Sequence, residues 1–154
     1  MSQSSRKINA SAALGLLLIG LLSSCASPSP LALLVDGNCS SPQQKLIAAH
    51  INAQIDALVM GDFKKAYSYA AESFQSAIGV DDFESIIKAQ YQVLLNSKGV
   101  NFGTCKIINQ EINQSVVVTN GGKDLTLLYR LTYINNRLGV IAATATSAGS
   151  TLTT

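Results

Sequence analysis

Few side chains in this sequence could carry out covalent or acid–base chemistry. The chain has one histidine, His50, and three cysteines, Cys25, Cys39 and Cys105. A serine, threonine or cysteine nucleophile needs a positioned base, and only this one histidine is available. Cys39 and Cys105 do not form a Cys-x-x-Cys motif, and no cluster of His, Cys and Asp has metal-ligand spacing. We therefore expect no metal and no cofactor, and the single catalytic candidate is His50.

His50 lies at the edge of an apolar helix face. On a helical wheel it is about 90° from the centre of the face formed by Ile47, Ile51 and Leu58. A histidine in that position is usually solvated or hydrogen-bonded at the flank of a helix. The alternative is a histidine that acts as a catalytic or ligand-binding group in a pocket.

Four tyrosines are candidates for lining such a pocket. They are Tyr67, Tyr91, Tyr129 and Tyr133. Tyrosines at helical or strand spacing usually belong to the core, with the hydroxyl at its rim. Both interpretations stay open at this point.

Cys25 ends the longest apolar segment of the chain. Arg6 and Lys7 precede about 15 uncharged residues, INASAALGLLLIGLL, which lead into Ser23-Ser24-Cys25. A basic start, a short apolar stretch and small residues at its end are typical of a secretory signal, whereas a membrane-spanning helix needs about 20 apolar residues. We therefore predict that this segment directs export.

The residues Leu22-Ser23-Ser24-Cys25 resemble the lipobox of bacterial lipoproteins. The resemblance implies that residues 1–24 are a signal peptide removed after Ser24, and that Cys25 carries diacylglycerol on its sulfur and an acyl group such as palmitate on its new amino group. Several acyl chains anchor a protein stably, because each buried CH2 contributes about 0.8 kcal/mol. The expected location is the extracytoplasmic face of a bacterial cell membrane. In a cell with two membranes, an aspartate after the lipidated cysteine retains some lipoproteins in the inner membrane. This chain has Ala26 at that position, so the outer membrane is the expected location.

Two other interpretations of the leader remain. A signal peptide cleaved near Ser24 or Ala26 would leave a soluble secreted protein, and an uncleaved leader would be a single-span anchor. Assigning Cys25 to lipid leaves Cys39 and Cys105 as an even pair in a compartment that allows disulfides. We predict a disulfide between them, with two buried free thiols as the alternative.

The composition indicates one globular domain with few charges. Of 154 residues, 47% are hydrophobic and 13% are charged. Without Arg6 and Lys7, nine basic and nine acidic residues remain, and the basic ones are scattered. Nucleic-acid binding requires a basic patch that releases counterions from phosphates. We therefore expect no nucleic-acid partner.

The pattern of apolar residues predicts an α+β fold. Residues 25–42 hold all three prolines and are expected to be a tether. Within it, the apolar residues 31–35 are expected to pack on the domain as a short strand, with contact at the membrane surface as the alternative. Three helices are expected from residue 43 to about residue 96, and after Gly99 the apolar period changes from helical to two. Turn signals at Asn120-Gly121-Gly122 and Asn135-Asn136 predict an antiparallel meander. The domain is expected to span residues 43–147, with a flexible tail at residues 148–154.

Two stretches of the chain resemble the NTF2-like (cystatin-like α+β cone) superfamily, in particular its uncharacterised bacterial families. They are ALVMGDFKKAYSYAAESFQSAIGVDDFESIIKAQYQVLL and LTLLYRLTYINNRLGVIAATAT. The resemblance implies three N-terminal helices packed on a curved antiparallel sheet. The residues that match the superfamily are packing residues, and none of them is catalytic.

These observations predict a lipid-anchored protein of the cell envelope with a non-catalytic binding domain. Its expected partners are membrane lipid through Cys25 and either a small apolar ligand or an envelope protein. The alternative function is an NTF2-like enzyme that uses His50 as the base in a cone pocket.

Overall fold

The computed structural model describes residues 28–122 and 124–146. The predicted signal peptide at residues 1–24, the predicted lipidation site Cys25 and the predicted tail at residues 148–154 lie outside the described residues. Within the described ranges, no helix is both long enough and apolar enough to cross a bilayer.

The described chain has an α+β fold, which confirms the predicted class. Its elements in chain order are β1 (Gly37–Asn38), α1 (Ser41–Val59), α2 (Phe63–Ser68), α3 (Glu72–Ala77), α4 (Val80–Gln90), α5 (Gln92–Leu95), β2 (Gly99–Ile108), β3 (Glu111–Thr119), β4 (Asp124–Ile134) and β5 (Arg137–Ala145). The strands form one antiparallel sheet in the order β1-β2-β3-β4-β5. Bulges between Phe102 and Cys105 and beside Arg130 and Leu131 bend the sheet.

The described region contains five helices where the sequence predicts three. The second predicted helix is divided into α2 and α3 because the chain between them pairs with the edge of the sheet. The Ala71 N–H donates to the Val140 carbonyl at 2.8 Å, and the Val140 N–H donates to the Tyr69 carbonyl at 3.0 Å. These bonds use backbone groups that a continuous helix would need for itself.

The third predicted helix is divided into α4 and α5 at Tyr91. This residue leaves helical geometry, with φ −125° and ψ 38°. Its side chain crosses to β5, where the hydroxyl donates to the Ala143 carbonyl at 3.4 Å. The residue thus ends one helix and contacts the sheet.

The core forms between α1 and one face of the sheet. Along α1 the side chains Ile47, Ile51, Ile55 and Leu58 are buried, as their spacing predicts. They face the inward residues of the central strands, which are Ile112, Val116, Val118, Leu127 and Leu131. Each fully buried aliphatic side chain contributes about 1.5–3 kcal/mol, so this contact is the main stabilising layer.

Gln114 is the one polar side chain buried inside the sheet among the described strands, and it lies at the bulge in β2. Its Nε2 donates to the carbonyls of Gly103 at 3.0 Å and Ser115 at 2.8 Å. A bulge leaves backbone groups without ladder partners, and burying such groups costs free energy unless they are hydrogen-bonded. Gln114 supplies the missing partner.

Within the predicted tether, the residues from Leu31 onward pack against the domain, as the apolar run at residues 31–35 predicts. Leu31 is only 2% exposed and belongs to the core. The Pro30 carbonyl accepts a hydrogen bond from Gln43 Nε2 at 3.1 Å, and Gly37 pairs with Ile107 of β2. Residues 31–42 are therefore part of the folded unit.

A disulfide joins Cys39 to Cys105, in agreement with the predicted pairing. Their Cα atoms are 5.4 Å apart, and the bridge links positions 66 residues apart in sequence. The Cys39 N–H also donates to the Cys105 carbonyl at 3.1 Å. The bridge holds the start of α1 against β2.

Candidate functional site

An apolar cavity of about 190 Å³ lies between the helices and the β4–β5 side of the sheet. Its lining side chains come from α1, α3, α4, α5 and the two strands, and they are Gln54, Leu58, Ala70, Phe74, Ile78, Phe83, Ile86, Ile87, Tyr91, Leu94, Tyr129, Val140, Ala142 and Ala143. Ile78, Ile86 and Tyr91 are only half-buried, and they mark the side where the cavity meets solvent.

The cavity exists because one wall is built from small side chains. The strand wall includes Ala142 and Ala143, and Ala70 extends it where the chain pairs with Val140. Phe74 and Phe83 stand on the helix side, with their ring centroids 6.1 Å apart and nearly perpendicular. Large residues on one wall and alanines on the other leave space that the helices cannot fill.

Tyr129 places a hydroxyl group in this apolar environment. The residue is 1% exposed, and its position on β4 points inward between Leu127 and Leu131. Burial, with a smaller contribution from Tyr91, raises the pKa of Tyr129, so the hydroxyl stays protonated at neutral pH and can donate.

Two further polar side chains line the cavity, and both are already engaged. Gln54 is buried and donates from Nε2 to the Ala66 carbonyl at 3.2 Å. Tyr91 makes the long hydrogen bond to Ala143 described above. No lining residue is charged. The cavity therefore suits an apolar molecule with at most one or two polar atoms.

Residues 40–148 match the family described as Domain of unknown function (DUF4864). The chain belongs to this family. No curated protein and no solved structure matches it. The DUF4864 match begins one residue after Cys39, so it covers α1 to β5 and includes every residue that lines the cavity.

Two of the four candidate tyrosines line the cavity of this DUF4864 domain, and two do not. Tyr91 and Tyr129 are lining residues. Tyr67 instead donates its hydroxyl to the carbonyls of Gln75 at 3.1 Å and Ile78 at 2.7 Å, which fixes the end of α3. Tyr133 is half-buried beside the N-terminal segment, on a groove that includes Leu31 and Leu34.

His50 is held outside the cavity lining by a backbone contact. Its Nε2 lies 2.9 Å from the Tyr69 carbonyl oxygen, and its ring meets the Tyr69 ring edge-on at 5.1 Å. A carbonyl can only accept, so Nε2 carries the proton in this contact. Asp56, on the same helix, is exposed. His50 thus stabilises the chain between α2 and α3.

Burial lowers the pKa of His50. The hydrogen bond to Tyr69 opposes that effect, and the positive charge of Arg137 adds to it. Arg137 is itself bound to the same segment, with one guanidinium nitrogen 2.8 Å from the Ser68 carbonyl. These contacts satisfy carbonyl groups at the end of α2, where a helix leaves them without internal partners.

The described residues contain no group of His, Cys, Asp or Glu side chains that could hold a metal ion. The cavity lining offers no nucleophile with a base beside it and no ionised carboxylate. The side chains that line it offer apolar contact and hydrogen bonding. Gln54 and the alanine wall were missed by sequence reasoning, although the run Ala142, Ala143, Ala145 in a predicted strand signals a wall with little side-chain volume.

Proposed function

We propose that this protein is an extracytoplasmic lipoprotein whose NTF2-like domain binds a small apolar ligand without catalysing its conversion. The observation that carries the proposal is the apolar cavity with the Tyr129 hydroxyl buried in its wall. A ligand atom that accepts a hydrogen bond from this hydroxyl would add one directional contact to the apolar contacts of the cavity.

The volume limits the size of the ligand. An engineered protein cavity of about 150 Å³ holds benzene, so a cavity of about 190 Å³ matches a substituted single ring or a short branched chain. The lack of charged side chains in the lining limits the chemistry of the ligand, because an ionised group would be desolvated in the cavity without a counter-charge. We infer a neutral molecule with one hydrogen-bond acceptor.

The membrane anchor is supported by the leader and by the cysteine pairing. The leader resembles a lipoprotein signal that ends at Cys25, and the other two cysteines pair with each other, which leaves Cys25 available for lipid. Intact mass spectrometry of the native protein extracted in detergent tests this part. We expect cleavage after Ser24, an acyl mass on Cys25 and no free thiol. An unacylated first residue would contradict the anchor.

Ligand binding is tested with a pair of molecules of the same shape, 4-methylphenol and p-xylene. We expect both to bind in ligand-observed NMR titrations, and the hydrogen bond from Tyr129 to the phenol oxygen to contribute to the ratio of their affinities. Tyr129→Phe should weaken 4-methylphenol relative to p-xylene by about five- to tenfold, the effect of one neutral hydrogen bond. Tyr133→Phe, which changes a hydroxyl outside the cavity, should leave this ratio unchanged.

A second pair of variants tests the location. Ala143→Leu adds three carbon atoms to the cavity wall and should abolish binding of both molecules. Ala145→Leu makes the same change at an exposed position of β5 that does not line the cavity. Equal binding by the Ala143→Leu variant and the wild type would contradict this site.

A further inference from the structure

Four of the large apolar side chains that the described residues expose lie at one end of the sheet. They are Leu33, Val35, Ile108 and Ile134, with exposed fractions of 74%, 63%, 50% and 60%. The other three, Leu46, Val59 and Met60, lie on or directly after α1. We call the set Leu33, Val35, Ile108 and Ile134 the apolar end surface.

The sheet topology brings these residues together. The turn between β2 and β3 and the turn between β4 and β5 lie at the same end of an antiparallel meander, next to Ile108 and Ile134 respectively. The N-terminal segment reaches the same end. The Asn109 N–H donates to Asp36 Oδ1 at 2.9 Å, and Ala32 and Leu34 share a groove with Ile134.

The length of chain between Cys25 and the domain limits how far this end can be from an anchor. Leu31 is buried in the core and therefore fixed. Six residues fully extended span at most about 20 Å. The distance is short compared with β4, whose 11 residues extend over about 35 Å. An anchor at Cys25 would hold the apolar end surface close to lipid.

We propose that the apolar end surface rests on the lipid bilayer, with the cavity held above the membrane. The inference depends on the lipid anchor proposed above. A lipid surface is the occupant that fits, because all four side chains are apolar. Ile108 and Ile134 end strands beside turns with polar tips, Asn109-Gln110 and Asn135-Asn136. Interfacial segments bury their apolar groups about 5–10 Å into the boundary between headgroups and acyl chains.

Charge contributes little to this contact. Arg130 is paired with Glu111 next to Ile108, and Lys106 and Asp36 carry opposite charges nearby. A surface with balanced charges gains little from anionic lipid. We therefore expect the same contact on neutral and anionic bilayers.

The test uses the full acylated protein in phosphatidylcholine vesicles, with a polarity-sensitive fluorophore on one introduced cysteine. Ile134→Cys places the fluorophore on the apolar end surface. Gly122→Cys is the control, because it lies in the turn at the opposite end of the sheet, about 30 Å away, and a side chain there meets no neighbouring atom within 4 Å. We expect a blue shift and quenching by nitroxide lipids at residue 134, and neither at residue 122.

A third labelled variant tests whether the apolar side chains themselves contact the lipid or are only close to it because of the anchor. Leu33→Asn, Val35→Asn and Ile108→Asn are combined with the fluorophore at residue 134, and we expect the quenching to fall while the protein stays in the membrane fraction. Unchanged quenching, or equal quenching at residues 122 and 134, would overturn the orientation but leave the anchor in place. A native protein without an acyl mass would overturn the anchor and the orientation together.

Discussion

Replacing Gly139 with alanine should destabilise the protein by displacing the segment between α2 and α3. A Cβ atom at residue 139 would lie 2.6 Å from the Ala71 Cα and 2.9 Å from its nitrogen. Backbone atoms cannot move aside as a flexible side chain can. The segment must therefore leave the edge of β5, where Ala71 and Tyr69 are hydrogen-bonded to Val140.

The magnitude follows from the contacts that are lost. Two backbone hydrogen bonds contribute about 1–3 kcal/mol together, and overpacking a well-packed site typically costs about 1–3 kcal/mol. These two effects overlap, so we expect a loss of about 2–4 kcal/mol in the free energy of unfolding. The cavity should change as well, because Ala70 belongs both to this segment and to the cavity wall.

Urea denaturation followed by circular dichroism measures the loss, with Gly122→Ala as the matched control. Alanine at residue 122 has open space and should change stability by less than about 0.5 kcal/mol. Both variants lose the same backbone freedom in the unfolded state, so their difference isolates the contact. Hydrogen exchange should also become faster at the Val140 amide. Equal stability of the two variants, with Val140 still protected, would refute the reasoning.

Two further predictions concern His50 and the disulfide. The lowered pKa of His50 means that the unfolded chain takes up a proton at higher pH than the folded protein, so stability should fall as the pH drops below about 6.5. His50→Gln keeps a donor for the Tyr69 carbonyl and should remove this part of the pH dependence, measured by urea titrations near pH 7.5 and pH 5.5. The same loss of stability between the two pH values in the variant and the wild type would contradict the role of His50. Replacing Cys39 and Cys105 with serine opens a loop of 66 residues and should cost about 4 kcal/mol in the chain-entropy model. A loss below about 1 kcal/mol would show that the bridge constrains the unfolded chain little.

Local patterns predicted the elements whose packing they determine. The spacing of Ile47, Ile51 and Ile55 gave the buried face of α1, and alternation gave the strand that carries Leu127 and Tyr129. The turn at Asn135-Asn136 was also predicted, since asparagine tolerates the positive φ values of 53° and 59° found there. These features depend on neighbours within a few residues.

Contacts between distant residues account for what the sequence did not predict. The break between α2 and α3 depends on Val140, about 70 residues later, and no local signal near Tyr69 indicates it. The spacing of the tyrosines predicted which face of its helix or strand each one occupies, but not whether its side chain reaches the cavity. Sequence alone therefore could not separate Tyr67 and Tyr133 from the lining residues Tyr91 and Tyr129. The apolar run at residues 31–35 predicted that this segment packs on the domain, but no local signal predicted the pairing of Gly37 with Ile107, which lies 70 residues later.

The Cys39–Cys105 bridge also determines how the domain bears mechanical load. Tension applied to the chain before Cys39 can detach β1 from β2, since β1 contributes only two residues to the sheet. The force then reaches Cys39 and passes through the covalent bond into β2, which is paired with β3 over eight positions. Helix α1 and the cavity beyond it are bypassed. A steady pull on the N-terminal side would thus act on the β2–β3 ladder before it reaches the helices that line the cavity.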